Sequence, residues 1–287
     1  MNFQLFFLKE GTRAYEKSDL ITLLKSNPNI IAPEQEETAG KKVYKYHHPV
    51  LNFDASFVMA TKSVVPHLER IDAKYYDINF YLEFNVLLQS YNVELLLDLV
   101  QEICSQFKFK VYCESYQYEV KNYKRAEIMK NFNVWKRSYA DKYPEDISKF
   151  NKLDSQTITA VYGYLQKRKR MELSYLSDNI IVSDYIFLKT EKSRSAFVAI
   201  KWDGETPFIL PPVVDIFILQ DAKITKYIPM SEVIMKMEKL FVPVDSSGIT
   251  KLEQKNVKKL YKFLTKEKFA PLSAELKTIQ IDDILDI

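Results

Sequence analysis

Glycine is scarce in this chain, with five in 287 residues against roughly 20 at an average usage of about 7%. Gly11, Gly40, Gly163, Gly204 and Gly248 stand far apart. Phosphate cradles and dinucleotide fingerprints need several glycines close together, because glycine lets the backbone take positive φ and approach a ligand closely. Both chemistries are excluded on that ground, and the residues ask for no cofactor. Part of the shortage is compositional. A chain rich in Lys, Ile and Asn, with 18 Phe and 19 Tyr against 2 Trp, fits AT-biased coding. Turns must then come from Asn, Asp and Pro, as at Asn27-Pro28, His48-Pro49 and Pro211-Pro212. At Gly204, which follows Asp203, the backbone is expected to require glycine.

Long apolar runs are missing too. No window approaches the about 18 apolar residues of a membrane span. The N-terminal apolar run, residues 2–8, is too short for a secretory signal and follows no basic leader. The expectation is a soluble, cytoplasmic protein. The two cysteines, Cys104 and Cys113, agree with a reducing compartment and read as buried thiols. Of the three histidines, His47 and His48 are neighbours at a strand end and point to opposite sides, which makes them poor co-ligands of a metal. His67 lies two residues before Glu69. A Walker motif, a serine elbow and the kinase signatures are all lacking.

What is present is globular in kind: 47% hydrophobic and 28% charged residues. Apolar periodicity gives an α+β class. Residues 2–8 read as a strand, 15–26 as a helix stopped by Asn27-Pro28, and 42–47 with 51–59 as a strand pair. The acids Glu34, Glu36 and Glu37 mark an exposed loop before the pair. From residue 77 to 113 a strand, a helix capped by Asn92 and a second strand follow in turn. Residues 1–115 therefore read as a mixed sheet with two helices, for which a ferredoxin-like arrangement is the first expectation. Residues 116–176 read as a basic helical segment, with helices over 118–142 and from Asp154 or Ser155 to about 176. Residues 177–287 read as a strand-rich domain ending in a helix over 250–266. Within it, Asp203-Gly204 predicts a hairpin and Pro211-Pro212 a break.

Charge is unevenly spread. Residues 1–107 hold 10 basic and 14 acidic residues, residues 108–170 hold 15 and 7, and residues 171–287 hold 16 and 17. The basic excess thus sits in the helical middle. Lys121, Lys124, Arg125, Lys136 and Arg137 mark its first helix, and Lys167, Arg168, Lys169 and Arg170 lie late in its second. Such a surface fits nucleic-acid phosphates, with Tyr116, Tyr118, Tyr123 and Tyr164 interleaved for stacking. A solvated helix face is the simpler reading of the same residues, and an acidic protein partner or the acidic N-terminal third of the same chain fits them as well as nucleic acid does. The C-terminal stretch 279–287 alternates acids with aliphatics, so Ile281, Ile284, Leu285 and Ile287 form a candidate docking peptide. Asp203, Glu205, Asp215 and Asp221 gather in the last third, where carboxylate chemistry needs no glycine.

These features rank three functions. First is a non-catalytic protein-interaction or adaptor module with a protein partner. Second is nucleic-acid binding through the basic helices. Third is a metal-dependent hydrolase or nuclease.

Overall fold

The structure is a computed structural model that describes residues 1–11, 15–33, 40–191, 193–270, 272 and 275–286. The acidic stretch at Glu34, Glu36 and Glu37, and Ile287, lie outside the described residues. The chain forms two compact units, Met1–Tyr143 and Pro144–Ile287. Their boundary is the Tyr143-Pro144 helix stop. The basic 116–176 stretch is therefore divided, its first helix in one unit and its second in the other.

The first unit runs β1 (Asn2–Glu10), α1 (Lys17–Ser26), β2 (Ile30–Ile31), β3 (Lys41–His48), β4 (Phe53–Ala60), β5 (Tyr75–Asn85), α2 (Ser90–Phe107), β6 (Lys110–Tyr112) and α3 (Arg125–Lys142). Among the described residues its sheet has the order β2-β3-β4-β5-β1-β6. Every neighbouring pair is antiparallel. The expected mixed sheet is corrected on this point. β5 and β6, joined by α2, do run parallel, but β1 lies between them and pairs with both. β1 and β4 flank β5 in the same way. The strands β6-β1-β5-β4 have the order and directions of the expected ferredoxin-like sheet, but the connection from β1 to β4 runs through β2 and β3 as well as α1, and those two strands extend the sheet beyond it. β1 reads as an apolar run interrupted only by Gln4 because it is central: Phe3, Leu5, Phe6, Phe7 and Leu8 are all buried.

α2 buries Leu96, Val100, Ile103 and Phe107 at helical spacing. Its cap is Gln89, and Asn92 lies inside the first turn, buried, donating to the Gln89 side chain at 3.1 Å. The helix ends on Lys108 at φ 57°. In a glycine-poor chain, left-handed positions fall to other residues, and Gln117 and Tyr118 take them consecutively. That pair breaks the expected helix over 118–142. The backbone turns, Lys121 bridges to Val111 in the sheet, and α3 starts only at Arg125.

The second unit runs α4 (Pro144–Ser148), β7 (Asn151–Lys152), α5 (Ser155–Tyr175), β8 (Ile181–Val182), β9 (Ile186–Thr190), β10 (Ala196–Trp202), β11 (Phe208–Leu210), β12 (Ile216–Gln220), β13 (Thr225–Pro229), α6 (Met230–Met237), β14 (Phe241–Pro243), β15 (Thr250–Leu252), α7 (Gln254–Lys266), β16 (Leu276–Ile279) and β17 (Ile284–Leu285). Its described strands form the sheets β13-β12-β10-β9-β16, β14-β15-β11-β8 and β17-β7. Asp154 caps α5, accepting the Gln156 and Thr157 N–H groups at 3.0 and 2.9 Å.

Two expectations are corrected here. Asp203-Gly204 joins no hairpin, because β10 and β11 belong to different sheets and β10 pairs in parallel with β12. The Asp203 carboxylate instead gathers its own loop, accepting the Glu205 and Thr206 N–H groups at 2.8 and 2.9 Å. Nor does the chain end in a helix. After α7 it adds β16 to the edge of β9 and β17 to β7, pairings too distant in sequence for local pattern to announce.

Candidate functional site

The basic residues of α3 and the segment before it do different things. Lys121 pairs with Glu127 and Glu119 and lies over the Tyr116 ring at 4.8 Å. Arg125 pairs with Asp98 on α2. Lys136 is buried, 3% exposed, and donates to the Leu88 carbonyl at 3.0 Å. It follows Ile128 and Phe132 at four-residue steps, so it extends the buried stripe of α3 and packs its stem into the core. Its assignment to an exposed binding surface is corrected. Lys124 and Arg137 are exposed.

The tyrosines expected to interleave are largely structural. Tyr116 and Tyr164 are buried, and the Tyr164 hydroxyl donates to the Ser183 carbonyl at 2.6 Å. Tyr123 donates to the Leu97 carbonyl at 2.8 Å. Tyr118 accepts from Arg70 at 2.7 Å, with that guanidinium also over its ring. Burial raises the pKa of Tyr116 and Tyr164 well beyond the usual phenol value.

The Lys167–Arg170 run divides in two. Lys167 reaches Asp245 at 3.4 Å. Arg168 bridges Asp184 at 2.6 Å and Glu172 at 2.9 Å. Lys169 and Arg170 are exposed and enter no ion pair among the described residues. Four consecutive helical residues span a full turn, so this division follows from helix geometry.

The C-terminal peptide is also corrected. Ile284 and Leu285 are 1% and 2% exposed and pair with β7, while Ile281 is half-buried. Their own unit already uses this stripe, which leaves it unavailable for docking elsewhere. Cys104 and Cys113 are buried free thiols; burial pushes Cys104 up to about 12 and raises Cys113 as well. His47 and His48 keep apart: His47 pairs with Asp54 at 2.9 Å, and His48 stacks on Phe53. Asp221 accepts the Tyr261 hydroxyl and two backbone N–H groups, so like Asp203 it organises a turn. Among the described residues, no three His, Cys, Asp or Glu side chains gather where a metal ion would fit.

One feature of α5 stands apart. Residues 158, 162, 165, 169 and 173 follow one another at steps of three or four, so they share a face of the helix, and Leu176, in the 3-10 turn just after it, continues the spacing. Ile158 and Tyr162 on this face are 5% and 2% exposed, and Leu165 is half-buried. Leu173 and Leu176 on the same face are 72% and 78% exposed. This face of α5 outruns the core it packs on: past Leu165 it carries Lys169 and then the exposed Leu173, with Leu176 in the short 3-10 turn that follows the helix. Lys169 lies on the bare part, and Arg170 beside it.

Comparison with protein families, curated proteins and solved structures finds no match. The geometry of this helix end is therefore what bears on function. Sequence inspection singled out Lys169 and Arg170 but passed over Leu173 and Leu176. The signal was there, in two leucines that resume the spacing of Leu165 after Lys169. What sequence does not contain is the point at which the core beneath that stripe stops.

Proposed function

We propose that this protein is a non-catalytic interaction module, and that the exposed end of α5 docks an acidic, apolar segment of another protein. The observation that carries the reading is the exposure of Leu173 and Leu176 on the face that is buried earlier in the same helix. Leucine exposed singly needs no explanation, but two on one face beside two uncommitted cations form a patch with a defined complement. Its centre asks for aliphatic side chains and its rim, at Lys169 and Arg170, asks for carboxylates. Such a rim steers association and fixes register, while the leucines supply most of the affinity. Burying a leucine side chain contributes about 1.5–3 kcal/mol, so the pair together accounts for about 100-fold or more in affinity.

The test uses the full chain purified with its bound protein. Leu173→Asp with Leu176→Asp is expected to release that protein, with the unfolding transition unchanged because both side chains already face solvent. Lys169→Glu with Arg170→Glu is expected to slow association, most strongly at low salt. Lys167 and Arg168 are left intact, because their partners Asp245, Asp184 and Glu172 lie within the unit. Retention of the same protein by the leucine variant would overturn the reading. So would binding carried by labelled DNA or RNA, with a steep salt dependence that the leucine changes leave untouched.

A further inference from the structure

A second region of the Pro144–Ile287 unit, distinct from the end of α5, has the form of a small-molecule site. In the β13-β12-β10-β9-β16 sheet both faces are apolar. Register puts Val198, Ile200, Phe217 and Leu219 on one face and Leu188, Ala199, Ile216 and Ile218 on the other. Over the second face opens a cleft of about 350 Å³, walled by Phe197, Ile216, Pro229 and Leu276. That is the low end of the about 300–1,000 Å³ typical of ligand pockets.

The lining carries one carboxylate, from Asp215, and two hydroxyls, from Ser231 and Thr190, the latter accepting the Ser193 N–H at 3.2 Å, and no Lys, Arg or His among the described residues. Asp215 is held in place by its backbone. Its N–H donates to the Val198 carbonyl at 2.7 Å, and its carbonyl accepts the Met230 N–H at 2.8 Å. One carboxylate oxygen, Oδ2, accepts the Val198 N–H at 2.8 Å. The other, Oδ1, has no partner among the described residues, and neither has the Ser231 hydroxyl in the first turn of α6. The apolar surroundings raise the Asp215 pKa, the Val198 N–H opposes that rise, and Asp154 adds to it. Both Asp215 and Ser231 are exposed, so the free Oδ1 and the hydroxyl stand open to an incoming cation beside the apolar wall.

We propose that this cleft binds a small primary amine with an apolar body. The ammonium sits on Asp215 Oδ1 and the Ser231 hydroxyl, and the hydrocarbon part lies over Phe197 and Ile216. Carboxylates are excluded by the fixed charge of Asp215, and neutral alcohols lose the charge-assisted hydrogen bond.

The test is a titration of the full chain with phenethylamine, followed by heteronuclear NMR and calorimetry. A ligand of this size is expected to bind at about 1 mM or tighter. Perturbed resonances should cluster at Asp215, Ser231 and Phe197. Phenethyl alcohol is expected to bind at least about 10-fold more weakly and hydrocinnamate not at all; this comparison needs no variant. Asp215→Asn keeps an acceptor for the Val198 N–H, so the fold is expected to hold while amine affinity drops about 10-fold. Equal binding of amine and alcohol would overturn the proposal. So would perturbations elsewhere, or no binding of phenethylamine at concentrations well above that value.

Discussion

Substituting Gly204 by alanine probes a turn with no room for a side chain. Gly204 has φ +87°, and a Cβ there would meet the Tyr261 ring at 2.7 and 2.8 Å. That ring cannot simply swing away, because its hydroxyl donates to Asp221 at 2.7 Å. Two costs add. A left-handed conformation costs an L residue about 1–2 kcal/mol, offset in part by the reduced freedom of the unfolded chain. Crowding against a packed ring costs about 1–3 kcal/mol. Gly204→Ala is therefore expected to destabilise by roughly 2–4 kcal/mol. Each unit contains one of the two tryptophans, Trp135 and Trp202, so the transitions separate. Denaturant unfolding of the Gly204 variant is read from Trp202 in a Trp135→Phe background. Gly11, at φ +75° with nothing within 4 Å of its Cβ position, supplies the control: Gly11→Ala bears only the conformational cost, about 1 kcal/mol. In a Tyr261→Ala background, Gly204→Ala should fall to that same value. A Gly204→Ala cost no larger than that of Gly11→Ala would refute the reasoning, as would a cost that Tyr261→Ala leaves unchanged.

Three further outcomes follow from the same physics. Lys108→Gly should stabilise the first unit by up to about 1 kcal/mol in denaturant unfolding, since Lys108 occupies a left-handed helix end at φ 57°. Asp154→Ala should cost about 0.5–1 kcal/mol at neutral pH through loss of the α5 cap. The Thr157 hydroxyl and N–H hold the Asp154 carboxyl below its ordinary range. Its contribution is therefore full above that range and lost as pH falls through the depressed folded value, where wild type and variant should converge. Ellman's reagent at mildly alkaline pH should leave both thiols untouched in the folded protein, because burial keeps Cys104 and Cys113 protonated. Reaction without unfolding would contradict that burial.

Helices with a wide apolar stripe were legible from sequence, as α2, α5 and α7 show. So were strands with clean alternation such as β4 and β5, and helix ends set by proline at residues 28 and 144. Their signals lie within a few residues of the structure they produce. Pairings between distant segments were not legible. β1 inserts between β5 and β6, β10 takes β12 rather than β11, and β16 and β17 close sheets begun some 90 and 130 residues earlier, separations visible in their registers. The start of α3 was misplaced because Gln117 and Tyr118 adopt a conformation that neither residue type advertises. For the candidate site, charge was legible and its use was not. Lys136, Arg168 and Lys169 look alike in sequence. One is buried and donates to the Leu88 carbonyl just before α2, one bridges two acids, and one is unpaired among the described residues, and packing alone separates them.

The most direct test of the interaction reading is a photo-crosslinking residue placed at position 173 of the full chain in its native cell. The account predicts one dominant adduct with another protein through an acidic, apolar segment, and none from the same residue placed at buried position 158. An adduct confined to nucleic acid, to residues 1–143 of the same chain, or to no macromolecule would contradict it.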